Sequence, residues 1–172
     1  AFPVFERTRA LVQSKIDGTI PDTYPLHPQA VVRKVREALG REDILTLDNG
    51  IYKLWFSRLY PTYAPNTLLL DNALATMGAG LPTAMATKLL MPGKRVLAVC
   101  GDGGFMMNSQ ELETVRRCGL PLVVLILNDN AYGFVKCKQQ KKGFPAFAMD
   151  YGNPDFVKYA ESFGLSGYRI QP

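Results

Sequence analysis

Short apolar runs that end in an aspartate constrain the fold of this chain more than any other feature. "ILTLD" closes on Asp48 and "TLLLD" on Asp71, while "RVLAVC" leads through Gly101 to Asp102 and "LPLVVLILN" leads to Asp129. Runs this short, rich in Val, Ile and Leu, read as strands. The segments between them have helical spacing. "HPQAVVRKVREALG" brings Val31, Val32, Val35 and Leu39 together, and Gly40 can close it. "LPTAMATKLL" tolerates Pro82 in its first turn and stops before Pro92. "SQELETVRRC" exits at Gly119, and Asn108 and Glu111 have the spacing of a capping box. "NPDFVKYAESFG" reads as a further helix, and "GYRI" as the start of another strand. Strands alternating with helices, and lacking polar alternation of their own, predict an α/β fold. It would be a doubly wound, mainly parallel sheet with helices on both faces. Ligands of such sheets bind beyond the carboxyl ends of the strands, where Asp48, Asp102 and Asp129 fall. Residues 1–27 carry proline and few periodic apolar positions, so they read as a linker or the tail of a preceding domain. Residues 28–172 read as one domain, truncated at its C-terminal end.

Composition excludes several classes. The apolar runs fall well short of the roughly 20 residues a membrane span needs. "AFPVFERTRA" lacks the basic-then-apolar layout of a signal peptide, so the expected location is cytoplasmic. Cys100, Cys118 and Cys137 are odd in number and have no CxxC spacing, which reads as free thiols in a reducing compartment. The single histidine, His27, is far from them in sequence, which argues against zinc. The net charge of +5 is mild. Its one dense basic cluster, "KCKQQKK" at 136–142, reads as a solvated helix face rather than a nucleic-acid contact. "GAGLPT" at 78–83 offers G-x-G without the third glycine, which argues against a dinucleotide site.

One aspartate after a strand is ordinarily a turn or cap residue. Two on strands joined by a right-handed crossover can converge on one point. Asp102 and Asp129 are such a pair, and their carboxylates would repel unless a cation lay between them. Gly101, Gly103 and Gly104 leave the backbone open to a bulky anion. Mg²⁺ typically takes one or two carboxylates and fills its shell with phosphate oxygens and water. The constellation reads as a magnesium-bridged diphosphate site.

"GDGGFMMNSQELETVRRCGLPLVVLILNDNAYG", residues 101–133, resembles the signature of thiamin-diphosphate enzymes. "TMGAGLPTAMA" at 76–86, "LDNGIYKLWFSRLY" at 47–60 and "FVKYAESFGLSGYRI" at 156–170 resemble further segments of the same family. The resemblance covers roughly residues 28–170. It is to the diphosphate-binding domain of 2-keto-acid decarboxylases and carboligases, most closely acetolactate synthases. It implies that Asp102, Asp129 and the carbonyl of Ala131 ligate Mg²⁺. It implies that Gly103 and Gly104 meet the diphosphate through their backbone; relatives often carry Ser at 104. Gly50, Ile51 and Tyr52, of which the last two stand where Gln-His is frequent, would adjoin the same group, with Gly101, Tyr132 and Gly133. Ala75 and Met77 would contact the aminopyrimidine, with Met77 the apolar wedge that keeps the cofactor bent.

Asp at 129, the "GDGGF" form and "YAESFG" resemble the catabolic acetolactate synthases, which do not need FAD. Lys138 and "KCKQQKKG" match neither the tryptophan of the biosynthetic branch nor the Gln-Glu-Glu run of the catabolic one. FAD therefore stays possible in the parent enzyme, on a domain other than this one. The family's activating glutamate lies on a pyrimidine-binding domain, and Glu37, Glu42, Glu111 and Glu113 read as helix-surface or capping residues, so no catalytic residue is assigned here. The expectation is a half-site that is inactive by itself. A pyrimidine-binding domain of the same or another chain would complete it, in a homo-oligomer acting on a 2-keto acid such as pyruvate. The alternatives are another thiamin-diphosphate-dependent 2-keto-acid decarboxylase and a non-catalytic cofactor-binding subunit.

Overall fold

The computed structural model describes residues 2–21 and 23–170. Four strands form one parallel sheet in the order β2-β1-β3-β4. They are β1 (Ile44–Leu47), β2 (Leu68–Leu70), β3 (Val96–Gly101) and β4 (Val123–Leu127). All four apolar runs therefore fold as strands. The chain moves outward from β1 to β2, then returns to place β3 on the other side of β1. That reversal makes a topological switch point between β1 and β3.

Side chains alternate between the two faces of the sheet. Leu45, Leu47, Leu97 and Val99 meet Val32 and Val35 of α2 (Pro28–Ala38) and Phe56 and Leu59 of α3 (Lys53–Leu59). Ile44, Val96, Ala98 and Cys100 meet Leu81, Ala84 and Met85 of α4 (Gly80–Leu90). Phe105 of α5 (Asp102–Met107) and Leu112 and Val115 of α6 (Glu111–Arg117) complete this second cluster. Phe156 and Tyr159 of α8 (Phe156–Ser162) pack on its rim, with both rings edge-on to Phe105. Burying one such Val, Leu or Phe side chain contributes roughly 1.5–3 kcal/mol. The two clusters thus hold helices on both faces of a doubly wound sheet. Among the described residues no helix is long and apolar enough to cross a membrane.

Several details differ from the sequence expectation. The run ending at Asn128 suggests a strand covered on both faces, yet β4 lies at the edge of the sheet among the described residues and is incompletely covered. Its Val124, Leu125, Ile126 and Leu127 are half-buried, and Val123 is 62% exposed. "GYRI" forms no strand over its described residues, 167–170. Gly167 lies against the backbone of Val157, and Arg169 pairs with Asp155 at 3.2 Å. The segment thus runs back along α8 instead of alongside β4. The capping box at Asn108 does not form either: α6 starts without a side-chain cap, and the Asn108 amide donates to the Gly78 carbonyl at 2.8 Å. Gly119 does end α6, at φ +59, with the Leu120 N–H returning to Val115. The N-terminal stretch contains a helix, α1 (Pro3–Asp17), with no buried residue. The Arg33 guanidinium caps its end by donating to the carbonyls of Ile16 and Gly18 at 2.8 and 2.6 Å.

Candidate functional site

The site is built at the carboxyl ends of β1, β3 and β4. Gly101 pairs with Leu127 at the last rung between β3 and β4, so the two chains leave the sheet side by side. Asp102 opens α5 and is buried. Its Oδ1 accepts the Gly103 N–H at 2.9 Å. Its Oδ2 accepts the Asn130 N–H at 2.8 Å and the Asn153 amide at 2.6 Å. A carboxylate oxygen has two lone pairs, so Oδ2 is saturated and Oδ1 keeps one beyond its bond to Gly103, with Asp129 and the Tyr151 hydroxyl both close to the carboxylate.

Asp129 sits beside this carboxylate. Burial pushes its own carboxyl up, and the charge of Asp102 adds to the effect. Its Oδ1 accepts the Ala131 N–H at 3.3 Å, and Asn130 between them adopts a left-handed φ of +55. The Ala131 turn is anchored by a single antiparallel bridge to Asp150: Tyr132 N–H donates to Met149 and Tyr151 N–H to Asn130. This bridge brings in a segment that sequence reasoning missed. The Asn153 amide lies within hydrogen-bond distance of Asp102, Asn128 and Asn130, at 2.6, 3.0 and 2.9 Å. The one signal available was the polar stretch "DYGN", which reads as an ordinary pre-helix turn.

Gly103 and Gly104 are approached closely, but by this chain's own side chains. A Cβ on Gly103 would lie 2.5 Å from the Tyr151 hydroxyl and 2.6 Å from the Tyr132 ring. A Cβ on Gly104 would lie 2.5 Å from Asp48 Oδ2. Asp48 is fully buried, and burial pushes its carboxyl up. It accepts the Asn49 N–H at 2.6 Å and the Gly78 N–H at 2.9 Å. Asp48 is thus a structural tie between β1 and the segment that carries Met77.

That segment is held at several points. Asp71 accepts the N–H groups of Ala73, Leu74 and Thr76. The Asn49 amide donates to the Thr76 carbonyl at 2.8 Å, and Lys53 bridges Asn49 and the Asp71 carbonyl. Ala75 takes a left-handed φ of +53 and Gly78 a φ of +86. Gly78 is clamped on both sides, its N–H by Asp48 and its carbonyl by Asn108.

The turn at 50–52 meets the others. The Tyr52 ring packs in the first core cluster and against Gly50 and Gly101, where added Cβ atoms would lie 2.4 and 2.9 Å away. Its hydroxyl is buried without a partner among the described residues. Ile51 is partly exposed and points toward Gly133, which also adjoins Asp129 Oδ2. The structure therefore brings Gly50, Ile51, Tyr52, Gly101, Asp102, Gly103, Gly104, Asp129, Ala131, Tyr132 and Gly133 to one end of the sheet. Ala75 and Met77 are tied in through Asp48. The donors around Asp102, Asp129 and the Ala131 carbonyl are oxygens, a set that suits a hard cation such as Mg²⁺ and not zinc. Among the described residues no cluster of three His, Cys, Asp or Glu side chains offers another centre.

Sheet, switch point and converging turns define a cofactor-binding α/β domain. Residues 48–172 match the family model for the thiamine pyrophosphate enzyme, C-terminal TPP binding domain. The chain is 41% identical over 145 residues to an acetolactate synthase of Bacillus subtilis, covering 84% of this chain and 25% of that protein. It is 38% identical over 148 residues to a putative thiamine pyrophosphate-containing protein of the same organism, covering 86% and 26%. It is 32% identical over 166 residues to a catabolic acetolactate synthase of Raoultella terrigena, covering 96% and 29%. The chain belongs to the thiamine pyrophosphate enzyme family, in which it corresponds to the C-terminal cofactor-binding domain. It spans roughly a quarter of the length of these curated relatives.

The paired carboxylates have a consequence for stability. Asp129 has a raised folded-state value, so its contribution is fully present below the ordinary carboxylate range and is lost as pH rises through the raised value. Asp129→Asn removes that loss and keeps an oxygen to accept from Ala131. The ligand-free mutant and parent should therefore unfold at similar temperatures near pH 3. The mutant should gain on the parent as pH rises above about 4. Thermal melts in metal-free buffer check this, and a difference that does not change with pH would rule out the raised value, which burial and the Asp102 charge cause.

Proposed function

We propose that this chain supplies the diphosphate and Mg²⁺ half of a thiamin-diphosphate-dependent active site. The enzyme it serves is acetolactate synthase-like, converting two pyruvate to acetolactate and CO₂. The single observation that carries the reading is the convergence of the Asp102 and Asp129 carboxylates at the ends of neighbouring strands. Asp102, Asp129 and the Ala131 carbonyl would hold Mg²⁺, and the metal would in turn hold the diphosphate. The N-terminus of α7 (Gly133–Lys141) adjoins Asp129 and adds a favourable dipole for an anion. Met77, fixed through Gly78, would support the ring end. Thiamin diphosphate supplies the electron sink for decarboxylation. The residues of this chain bind, orient and neutralise.

A pyrimidine-binding domain, of the same or another chain, completes the site in this reading and brings the activating glutamate. Glu37, Glu42 and Glu113 are engaged in surface pairs with Lys34, Lys94 and Arg117, which suits none of them to that role. Exposed Leu54, Met106, Met107, Phe134 and Val135 give the partner an apolar surface to cover. The whole enzyme would be a cytoplasmic homo-oligomer.

The test uses the full-length protein with pyruvate, Mg²⁺ and thiamin diphosphate, scoring acetolactate against acetaldehyde. Acetolactate that disappears on chelation and returns with Mg²⁺ is the expected result. Acetaldehyde alone would move the protein to the decarboxylases. Cofactor binding without consumption of any 2-keto acid would leave a cofactor-binding subunit instead.

A further inference from the structure

We propose that the Tyr151 hydroxyl is a binding group of this site, donating to an anionic oxygen of the bound magnesium-diphosphate unit. The proposal rests on the reading of the site given above. Its own basis is a buried donor that forms no well-aligned bond in the ligand-free protein, although the Asp102 carboxylate lies beside it. The Tyr151 hydroxyl is buried and has no hydrogen-bond partner among the described residues. Buried hydroxyls rarely go unpaired, because losing water without a replacement bond is unfavourable.

Its position is specific. It lies 2.5 Å from where a Cβ of Gly103 would stand, beside the backbone of the residue that follows Asp102. That position is also fixed. The Tyr151 N–H donates to the Asn130 carbonyl at 3.0 Å, and the ring packs on Tyr132 with centroids 4.8 Å apart. Two residues on, the Asn153 amide bonds to Asp102 itself. The segment is therefore held against the metal-site turn at three points. A phenol is a donor at neutral pH and matches an anionic oxygen. The facing turns offer Ile51, Gly103 and Gly104, and their one hydroxyl, on Tyr52, belongs to a ring packed in the core against Gly50 and Gly101. Tyr151 supplies the donor from a different element.

Tyr151→Phe removes the hydroxyl and keeps the ring. The experiment is calorimetric titration of the full-length protein, parent and mutant, with thiamin diphosphate plus Mg²⁺. A second titration uses inorganic pyrophosphate plus Mg²⁺, and ligand-free thermal unfolding is measured alongside. The expected result is a ligand-free melting temperature that is unchanged or higher, with both affinities weakened about tenfold, as for a hydrogen bond to a charged group. Equal affinities in parent and mutant would overturn the proposal and leave the proposed function standing. A lower ligand-free melting temperature with unchanged affinity would also overturn it, because the hydroxyl would then serve the fold. A parent protein that takes up neither ligand would remove the reading of the site, and the proposal with it.

Discussion

Asp102→Asn in the full-length protein is expected to weaken Mg²⁺-dependent cofactor retention by about a hundredfold or more, beyond what losing an outer-shell partner usually costs. The reason is local hydrogen bonding as well as charge. The position of Oδ2 receives two donors, the Asn130 N–H and the Asn153 amide. The position of Oδ1 receives one, from Gly103. An asparagine must put its NH₂ group at one of these places. The less costly choice is the Oδ1 side, where it opposes a single N–H. That is also the oxygen left to ligate the metal in the proposed function. The substitution therefore removes the negative charge and turns a donor toward the cation. Stability should fall by only about 1–3 kcal/mol, the cost of one or two unmatched donors. Equilibrium dialysis of Mg²⁺ with thiamin diphosphate, beside a thermal melt, separates the two effects. Retention unchanged at equal Mg²⁺ would show that Asp102 is a structural carboxylate only.

The largest effect on folding is expected at Gly78. Its φ of +86 is a conformation that residues with a Cβ rarely adopt. Its surroundings are also closed: a Cβ would lie 2.8 Å from the Asn108 amide nitrogen and 3.0 Å from Met107 Cβ. Gly78→Ala should cost about 1–2 kcal/mol for the backbone and about 1–3 kcal/mol for the crowding. For a chain of this size that corresponds to roughly 10 °C in melting temperature. Gly119 provides the comparison. It too has positive φ, at +59, but nothing lies within 4 Å of the added atom. Gly119→Ala should cost about 1 kcal/mol, from the backbone alone. Equal losses at the two positions would mean that the clamp at Gly78 yields freely.

The strands were legible because each is an apolar run with a polar stop, and that pattern survives any detail of packing. The aspartates at the ends of β1, β3 and β4 were legible for the same reason. Their division of labour was not. Asp48, Asp102 and Asp129 look alike in sequence, and only the tie from Asp48 to Gly78 separates the first from the other two. The short helices α3 and α5 escaped notice because seven and six residues carry little periodicity, and α5 contains two glycines. The expected capping box failed because a side chain can be spent once, and Asn108 is spent on Gly78. The glycines at 103 and 104 were read as clearance for an anion. Their Cα faces are instead crowded by Tyr132, Tyr151 and Asp48. Tyr151 and Asn153 were invisible to motif reading, since a lone loop bridge at Ala131 and Asp150 is what carries them into the site.

Helix α5 has one further consequence. It begins at Asp102, which is fixed by Asn130 and Asn153, and it is followed by Asn108, which grips Gly78. The helix is thus a ruler between the two ends of the candidate cofactor site. Each helical residue contributes about 1.5 Å of rise and about 100° of rotation. One inserted or deleted residue would keep both end groups in the sequence yet swing Asn108 away from Gly78. Its length should therefore not vary.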